Sequence, residues 1–95
     1  MGTELRRVKD GVDIFEWVRA SRNPFSRSVR VYRKCVYGEF GSICGAFEVE
    51  RDPMNNIHRS FWFTFNGKNY RLTEVKNMKQ VEKVLTDLYV KGELK

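Results

Sequence analysis

Few side chains in this sequence could act in catalysis or bind a metal. The chain has one histidine, His58, and two cysteines, Cys35 and Cys44. With a single histidine, the chain cannot use one histidine as a catalytic acid and a second as a base. The cysteines and the histidine also lack the short ligand spacings of zinc sites. We therefore predict no catalytic residue, no metal and no other cofactor. Two cysteines are also too few for a disulfide-rich scaffold, so we expect reduced thiols.

The charge pattern indicates an anionic partner. Lysine and arginine outnumber aspartate and glutamate by 18 to 12, and the segment from Arg19 to Lys34 contains basic residues but no acidic one. A basic block of this kind favours nucleic acid, and next a membrane surface or an acidic protein. The alternative is that these charges only keep the protein soluble.

No segment of the sequence indicates targeting or membrane insertion. The first ten residues, MGTELRRVKD, lack the apolar run of a signal peptide, and no stretch is apolar for long enough to cross a bilayer. We expect an intracellular, cytoplasmic protein without a membrane partner.

The dipeptide Asn66-Gly67 between two alternating apolar runs is the strongest structural signal. A type I′ turn needs positive φ at both central residues, which Asn and Gly tolerate. The resulting hairpin sets Phe63 opposite Tyr70 on an apolar face and Trp62 opposite Arg71 on the other face. We predict that the Trp62 face is exposed; the alternatives are that the first helix covers it, or that Trp62 and Arg71 form a structural cation–π pair.

The remaining patterns predict one α+β domain over residues 1–95. The expected order is a loose arm over residues 1–10, a short helix over about Val12 to Ala20, a four-stranded antiparallel meander, and a helix over about Met78 to Val90 packed on the sheet. Asn77 followed by Gln80 resembles a capping box for the last helix, and Gly92 is placed to end it.

Alternation in the first strand, Ser28 to Tyr37, directs Arg30, Tyr32 and Lys34 outward. A five-residue loop to a second strand over about Ser42 to Glu50 would set Arg30 opposite Glu50 and Tyr32 opposite Glu48. The outward face would then carry Arg30, Tyr32 and Lys34 together with Trp62.

The candidate binding residues are basic or aromatic and lie on the outward sheet face, the preceding linker or the last helix: Arg22, Arg27, Arg30, Tyr32, Lys34, Trp62, Arg71, Lys76, Lys79 and Lys83. Their basic groups would neutralise phosphates, and their rings would stack on bases.

The run from Ala46 to Leu85 resembles a double-stranded RNA-binding domain in its strand, its excursion with His58, its Asn-Gly hairpin and the basic start of its final helix. It covers less than half of the chain and lacks the alanine- and lysine-rich helix opening of that family. The order of four strands and a helix is also similar, in topology alone, to small folds that bind single strands.

These patterns favour a small basic nucleic-acid-binding module, for DNA or RNA, whose readout is largely independent of sequence. The alternative is a small protein-binding regulator or inhibitor of a nucleic-acid-handling complex, with Trp62, Phe40, Tyr32 and Arg71 as interface anchors. Either function is compatible with a homodimer.

Overall fold

The computed structural model describes residues 2–21 and 28–94. Its elements are β1 (Glu4–Arg7), α1 (Ile14–Ser21), β2 (Ser28–Gly38), β3 (Gly41–Arg51), β4 (Ile57–Phe65), β5 (Lys68–Thr73) and α2 (Met78–Val90). The strands form one antiparallel sheet in the order β1-β5-β4-β3-β2. The predicted α+β class is confirmed, but the described residues form five strands in this sheet, so the prediction of four is wrong. Neither helix in the described ranges has the length and apolar character needed to cross a membrane.

The additional strand, β1, lies within the segment predicted as a loose arm. Leu5 pairs with Leu72 of β5, and the segment after β1 is fastened to the same strand. The carboxylate of Asp10 accepts a hydrogen bond from the backbone N–H of Asn69 at 2.9 Å, and the Asn69 side chain donates to the Lys9 carbonyl at 2.6 Å. A four-residue strand with one apolar side chain is too short for a period-2 pattern to reveal it.

The β4–β5 hairpin has the predicted register. Asn66 and Gly67 have φ values of 52° and 76°, as a type I′ turn requires. Phe63 pairs with Tyr70, and Trp62 pairs with Arg71. The turn residues therefore assign the side chains of both strands to their faces.

Helix α2 covers one face of the sheet, which we call the α2 face. Its predicted bounds are confirmed, and the Asn77 side chain accepts a hydrogen bond from the Gln80 N–H at 2.9 Å. Gly92 follows the helix with a φ of 80°. The main core lies between α2 and the sheet, where Phe61, Phe63 and Leu72 are fully buried.

Helix α1 covers part of the opposite face, the α1 face. Ile14 and Val18 pack on Ala46 and Trp62, and only 6% of Trp62 is exposed. The prediction that Trp62 lies on a wet face is wrong, and the alternative of coverage by the first helix is observed. An eight-residue helix with two buried apolar side chains supplies enough apolar surface to bury the indole.

The β2–β3 connection is shorter than predicted, and this changes the faces of β2. Gly38 pairs with Gly41, so only Glu39 and Phe40 form the turn, and Gly41 has a φ of 94° that favours glycine. Arg30 consequently stands opposite Val49 rather than Glu50, and Tyr32 opposite Phe47 rather than Glu48. Because a one-residue shift exchanges the two faces, the outward residues of β2 lie on the α2 face.

The same register sets Cys35 opposite Cys44, and the two form a disulfide. The expectation of reduced thiols is therefore wrong. The count of cysteines could not reveal the pairing, because the pairing depends on the length of the turn between the two strands. The disulfide links β2, at the edge of the sheet, to β3.

Replacing Gly67 by valine should lower the stability of the fold by about 1–3 kcal/mol, because a β-branched residue opposes positive φ. Lys68→Val is the matched control, since the same side chain then occupies a strand position with ordinary φ. Urea unfolding measures both variants. Equal stabilities for the two variants would contradict the turn geometry.

Trp62→Ala should destabilise the protein by about 3–5 kcal/mol, because it leaves a cavity beneath α1. Thr64→Ala changes an exposed residue on the same face and strand, and should cost about 1 kcal/mol or less. Thermal unfolding compares the two. Similar losses would show that α1 does not cover Trp62.

Candidate functional site

The register of β2 separates the predicted binding residues into two groups. Arg30, Tyr32 and Lys34 lie on the α2 face, in line with Val49, Phe47 and Gly45 of β3. Trp62 and Arg71 lie on the α1 face. The two groups therefore cannot form one surface.

Arg30 and Tyr32 of the first group line an open groove on the part of the α2 face that α2 leaves uncovered. This arginine groove has a volume of about 340 Å³ and is lined by Ser28, Arg30, Tyr32, Phe47, Val49, Arg51, Ile57 and Arg59. Its lining within the described ranges includes three arginines and no carboxylate. Aromatic and aliphatic side chains form its floor.

Strand pairing fixes the order of the groove residues. Arg30, Val49 and Arg59 form one row across β2, β3 and β4. The two arginine Cα atoms are thus separated by two strand spacings, about 10 Å. The next row toward α2 holds Tyr32 and Phe47, whose rings stack with centroids 5.9 Å apart. Positive charges therefore stand on both sides of an apolar strip.

Two of the three arginines are available to a ligand. Neither Arg30 nor Arg59 forms an ion pair or a side-chain hydrogen bond within residues 2–21 and 28–94. The third, Arg51, donates to the side-chain oxygen of Asn55 at 2.8 Å.

Arg59 is available because of the way β5 ends. Simple continuation of the hairpin would set Glu74 opposite Arg59, but pairing stops at Thr73, and Glu74 has a φ of 54°. The Glu74 carboxylate instead lies 3.3 Å from Nδ1 of His58. Arg59 therefore has no carboxylate partner on the α2 face among the described residues.

A second concavity continues the groove toward the start of α2. It shares Tyr32 and Phe47 with the groove and adds Lys34 and Lys76. Lys34 places its ammonium group 5.8 Å from the centroid of the Tyr32 ring. Both lysines are exposed, and the adjacent helix N-terminus adds a partial positive charge. The two concavities thus form one continuous basic surface.

A histidine between two carboxylates holds the loop at the far end of the groove. Nε2 of His58 lies 2.8 Å from the Asp52 carboxylate, and that carboxylate also accepts the Asn56 N–H at 2.8 Å. The hydrogen bond with Asp52, followed by that with Glu74, raises the pKa of His58, and the His58 contact lowers the pKa of Asp52. The arrangement fixes the loop that carries Asn55, the partner of Arg51.

Trp62 and Arg71 form a structural pair on the α1 face. The Arg71 guanidinium lies 4.9 Å from the Trp62 ring centroid, and the indole N–H donates to Glu48 at 3.3 Å. Burial raises the pKa of the Glu48 carboxyl. Arg71 also donates to the Ser60 hydroxyl at 3.3 Å. These contacts match the alternative of a structural cation–π pair.

The remaining predicted site residues are not in the groove. Lys79 and Lys83 are exposed on α2 but do not line either concavity. Arg22 and Arg27 lie outside the described residues. Within the described ranges no group of three or more histidine, cysteine or acidic side chains is arranged to hold a metal ion.

Sequence reasoning predicted two of the eight groove residues, Arg30 and Tyr32, and missed the other six, among them Arg51, Ile57 and Arg59. Arg59 interrupts the apolar side of β4, and Arg51 and Ile57 continue the same face at the adjoining strand ends. An arginine in line with the core positions Phe61 and Phe63 was the available signal. Continuing the predicted hairpin register to the strand ends would set Glu74 opposite Arg59, which would suggest an internal ion pair rather than a binding residue.

The contribution of His58 to stability should depend on pH. Its folded-state pKa is raised above 6.5, so the stabilisation is fully present below that value and is lost as the pH rises through the folded-state pKa. The difference in unfolding free energy between the wild type and His58→Gln should therefore be larger near pH 5.5 than near pH 8.5. Thr64→Ala, which removes a neutral hydrogen bond from the same strand, should show no such change. A pH-independent difference for His58→Gln would show that Asp52 and Glu74 do not stabilise the protonated histidine.

Comparisons of this chain with protein-family models, with curated proteins and with solved structures give no match. The partial resemblance to a double-stranded RNA-binding domain therefore carries no family assignment, and function rests on the groove itself.

Proposed function

We propose that this protein is a small nucleic-acid-binding module that holds the phosphate backbone in the arginine groove with little readout of base sequence. The observation that carries the proposal is the row Arg30–Val49–Arg59, in which two arginines without partners in the described residues flank an apolar strip. Arginine binds phosphate oxygens through a planar fork of donors. The proposed site residues are Arg30, Tyr32, Lys34, Arg51, Arg59 and Lys76.

The shape of the site supports an extended polyanion over a small anion. Basic side chains occur from Arg51 at one end to Lys76 at the other, over both concavities. A single small anion would contact only one end of this surface. A chain of phosphates can contact charges along its whole length, and each contact releases counterions.

The chemistry of the floor supports nucleic acid over an acidic peptide. The Tyr32 side chain remains 39% exposed while its ring is stacked against Phe47. An aromatic ring held in this way is suited to stacking on a planar base. An acidic peptide would satisfy the arginines but would offer a flat partner for the ring only where it carries an aromatic residue, whereas every nucleotide has a planar base.

The rival function, a protein-binding regulator, has less support. Of its four proposed anchors, Trp62 is buried under α1, and Phe40 packs edge-on against Tyr89. Arg71 is held against Trp62. Only Tyr32 keeps a substantial exposed surface, and it belongs to the arginine groove.

A cytoplasmic location remains a prediction. The Cys35–Cys44 disulfide bears against it, because disulfides persist mainly in oxidising compartments.

Arg30→Ala and Arg59→Ala should each weaken the binding of a fluorescein-labelled oligonucleotide and make the slope of log K against log salt shallower by about 0.7 to 0.9. Fluorescence anisotropy at several salt concentrations measures the slope for single strands and duplexes. Arg19→Ala is the matched control, because it removes the same charge from α1 on the opposite side of the sheet.

Absence of binding to either strand form at low salt would refute the proposal and favour a protein partner. An equal loss for the Arg19 variant would show that net charge, and not the groove, carries the affinity.

A further inference from the structure

We infer that the arginine groove selects single-stranded over double-stranded nucleic acid, with Tyr32 as the platform for one unpaired base. The inference rests on the proposed function and names its ligand class. It follows from the position of the row with Arg30 and Arg59 directly beside the row with Tyr32 and Phe47.

The rows place phosphate and base contacts at different positions. Arg30 and Arg59 flank Val49 in one row, and Tyr32 lies on Phe47 in the next row along the same strands. Successive rows on one face are two residues apart, about 7 Å. A flexible single strand can set its phosphates on the arginines and turn an adjacent base onto the ring.

A duplex cannot stack its bases on the floor of the arginine groove. Its bases are paired and stacked inside the helix, so only its phosphates would reach the groove. The exposed apolar surface of Tyr32 and of Ile57, which are 39% and 42% exposed, would lose contact with water without gaining a partner. The duplex would therefore gain only the salt-dependent contacts with the arginines.

The ring of Tyr32 is supported in an orientation suited to stacking. Phe47 is 6% exposed and supports the ring, with an angle of 25° between the two ring planes. Lys34 is 5.8 Å from the ring centroid, but an exposed cation–π contact is weaker than the stacking of a base on an aromatic side chain. The flexible, exposed lysine can move to an adjacent phosphate when the base arrives.

The test uses three labelled probes of equal phosphate count per strand: an oligothymidine of about 12 nucleotides, the same strand paired with its complement, and a strand of abasic sites. Binding is measured by fluorescence anisotropy for the wild type, Tyr32→Leu and Tyr32→Phe. Leucine retains apolar volume without a ring, and phenylalanine retains the ring without its hydroxyl. The thermal midpoint of each variant establishes that it is folded.

The wild type should bind oligothymidine at least about tenfold more tightly than the duplex or the abasic strand. Tyr32→Leu should lose roughly 5- to 100-fold in affinity for oligothymidine, while its affinity for the other two probes should stay unchanged. Tyr32→Phe should stay within about threefold of the wild type for every probe. Because the abasic probe leaves the protein unaltered, it tests the stacking contact even if Tyr32→Leu fails to fold.

Equal or tighter binding of the duplex, or an abasic strand bound as tightly as oligothymidine, would overturn the inference and leave the proposed function standing. Absence of binding to all three probes at low salt would overturn both.

Discussion

The register of β2 against β3 is the constraint on which the candidate site depends. A two-residue turn, with Gly41 at positive φ, pairs Gly38 with Gly41 and sets every other residue of β2 on one face. A loop one residue longer would exchange the faces, place Arg30 beside the carboxylates of β3, and neutralise it there. The same register brings Cys35 and Cys44 together, and their disulfide links the edge strand to its neighbour. The position of the basic residues is thus determined by backbone pairing and reinforced by a covalent bond.

The two helices explain why a basic surface stays open on a sheet with apolar residues on both faces. Helix α2 covers the α2 face around Phe61, Phe63 and Leu72, and α1 buries Trp62 on the other face. Neither covers the β2–β3–β4 end of the α2 face, where the apolar rows give way to rows with arginine. Apolar side chains there, such as Val49 and Ile57, are left partly exposed between charges. Within residues 2–21 and 28–94 the groove is therefore a continuation of the core that no helix covers and whose rim is positively charged.

Much of the fold follows from local signals, but the site depends on pairings that those signals do not contain. The φ requirements of Asn66-Gly67 fixed the hairpin, and the cap at Asn77 with the glycine at position 92 fixed α2. The β2–β3 turn lacks an equally specific dipeptide, since Glu-Phe is compatible with a tight turn or a longer loop. Arg30, Tyr32 and Lys34 share one face of β2, as predicted, because alternation along one strand is local. Their association with Trp62 was wrong, because it required the relation between two strands that are not joined by the Asn-Gly turn.

We propose that nucleic acid binds the α2 face, at the β2–β3–β4 end, and not the α1 face that carries the tryptophans. A titration of the ¹⁵N-labelled protein with an unlabelled single-stranded oligonucleotide, followed by two-dimensional ¹H–¹⁵N spectra, tests it most directly. The largest shift changes are expected at the amides of Arg30, Tyr32, Val49 and Arg59. The indole N–H signals of Trp17 and Trp62, whose rings lie 5.3 Å apart beneath and within α1, should barely move. Large changes at both indoles, with unchanged signals from the groove amides, would place binding on the α1 face and contradict the proposed site.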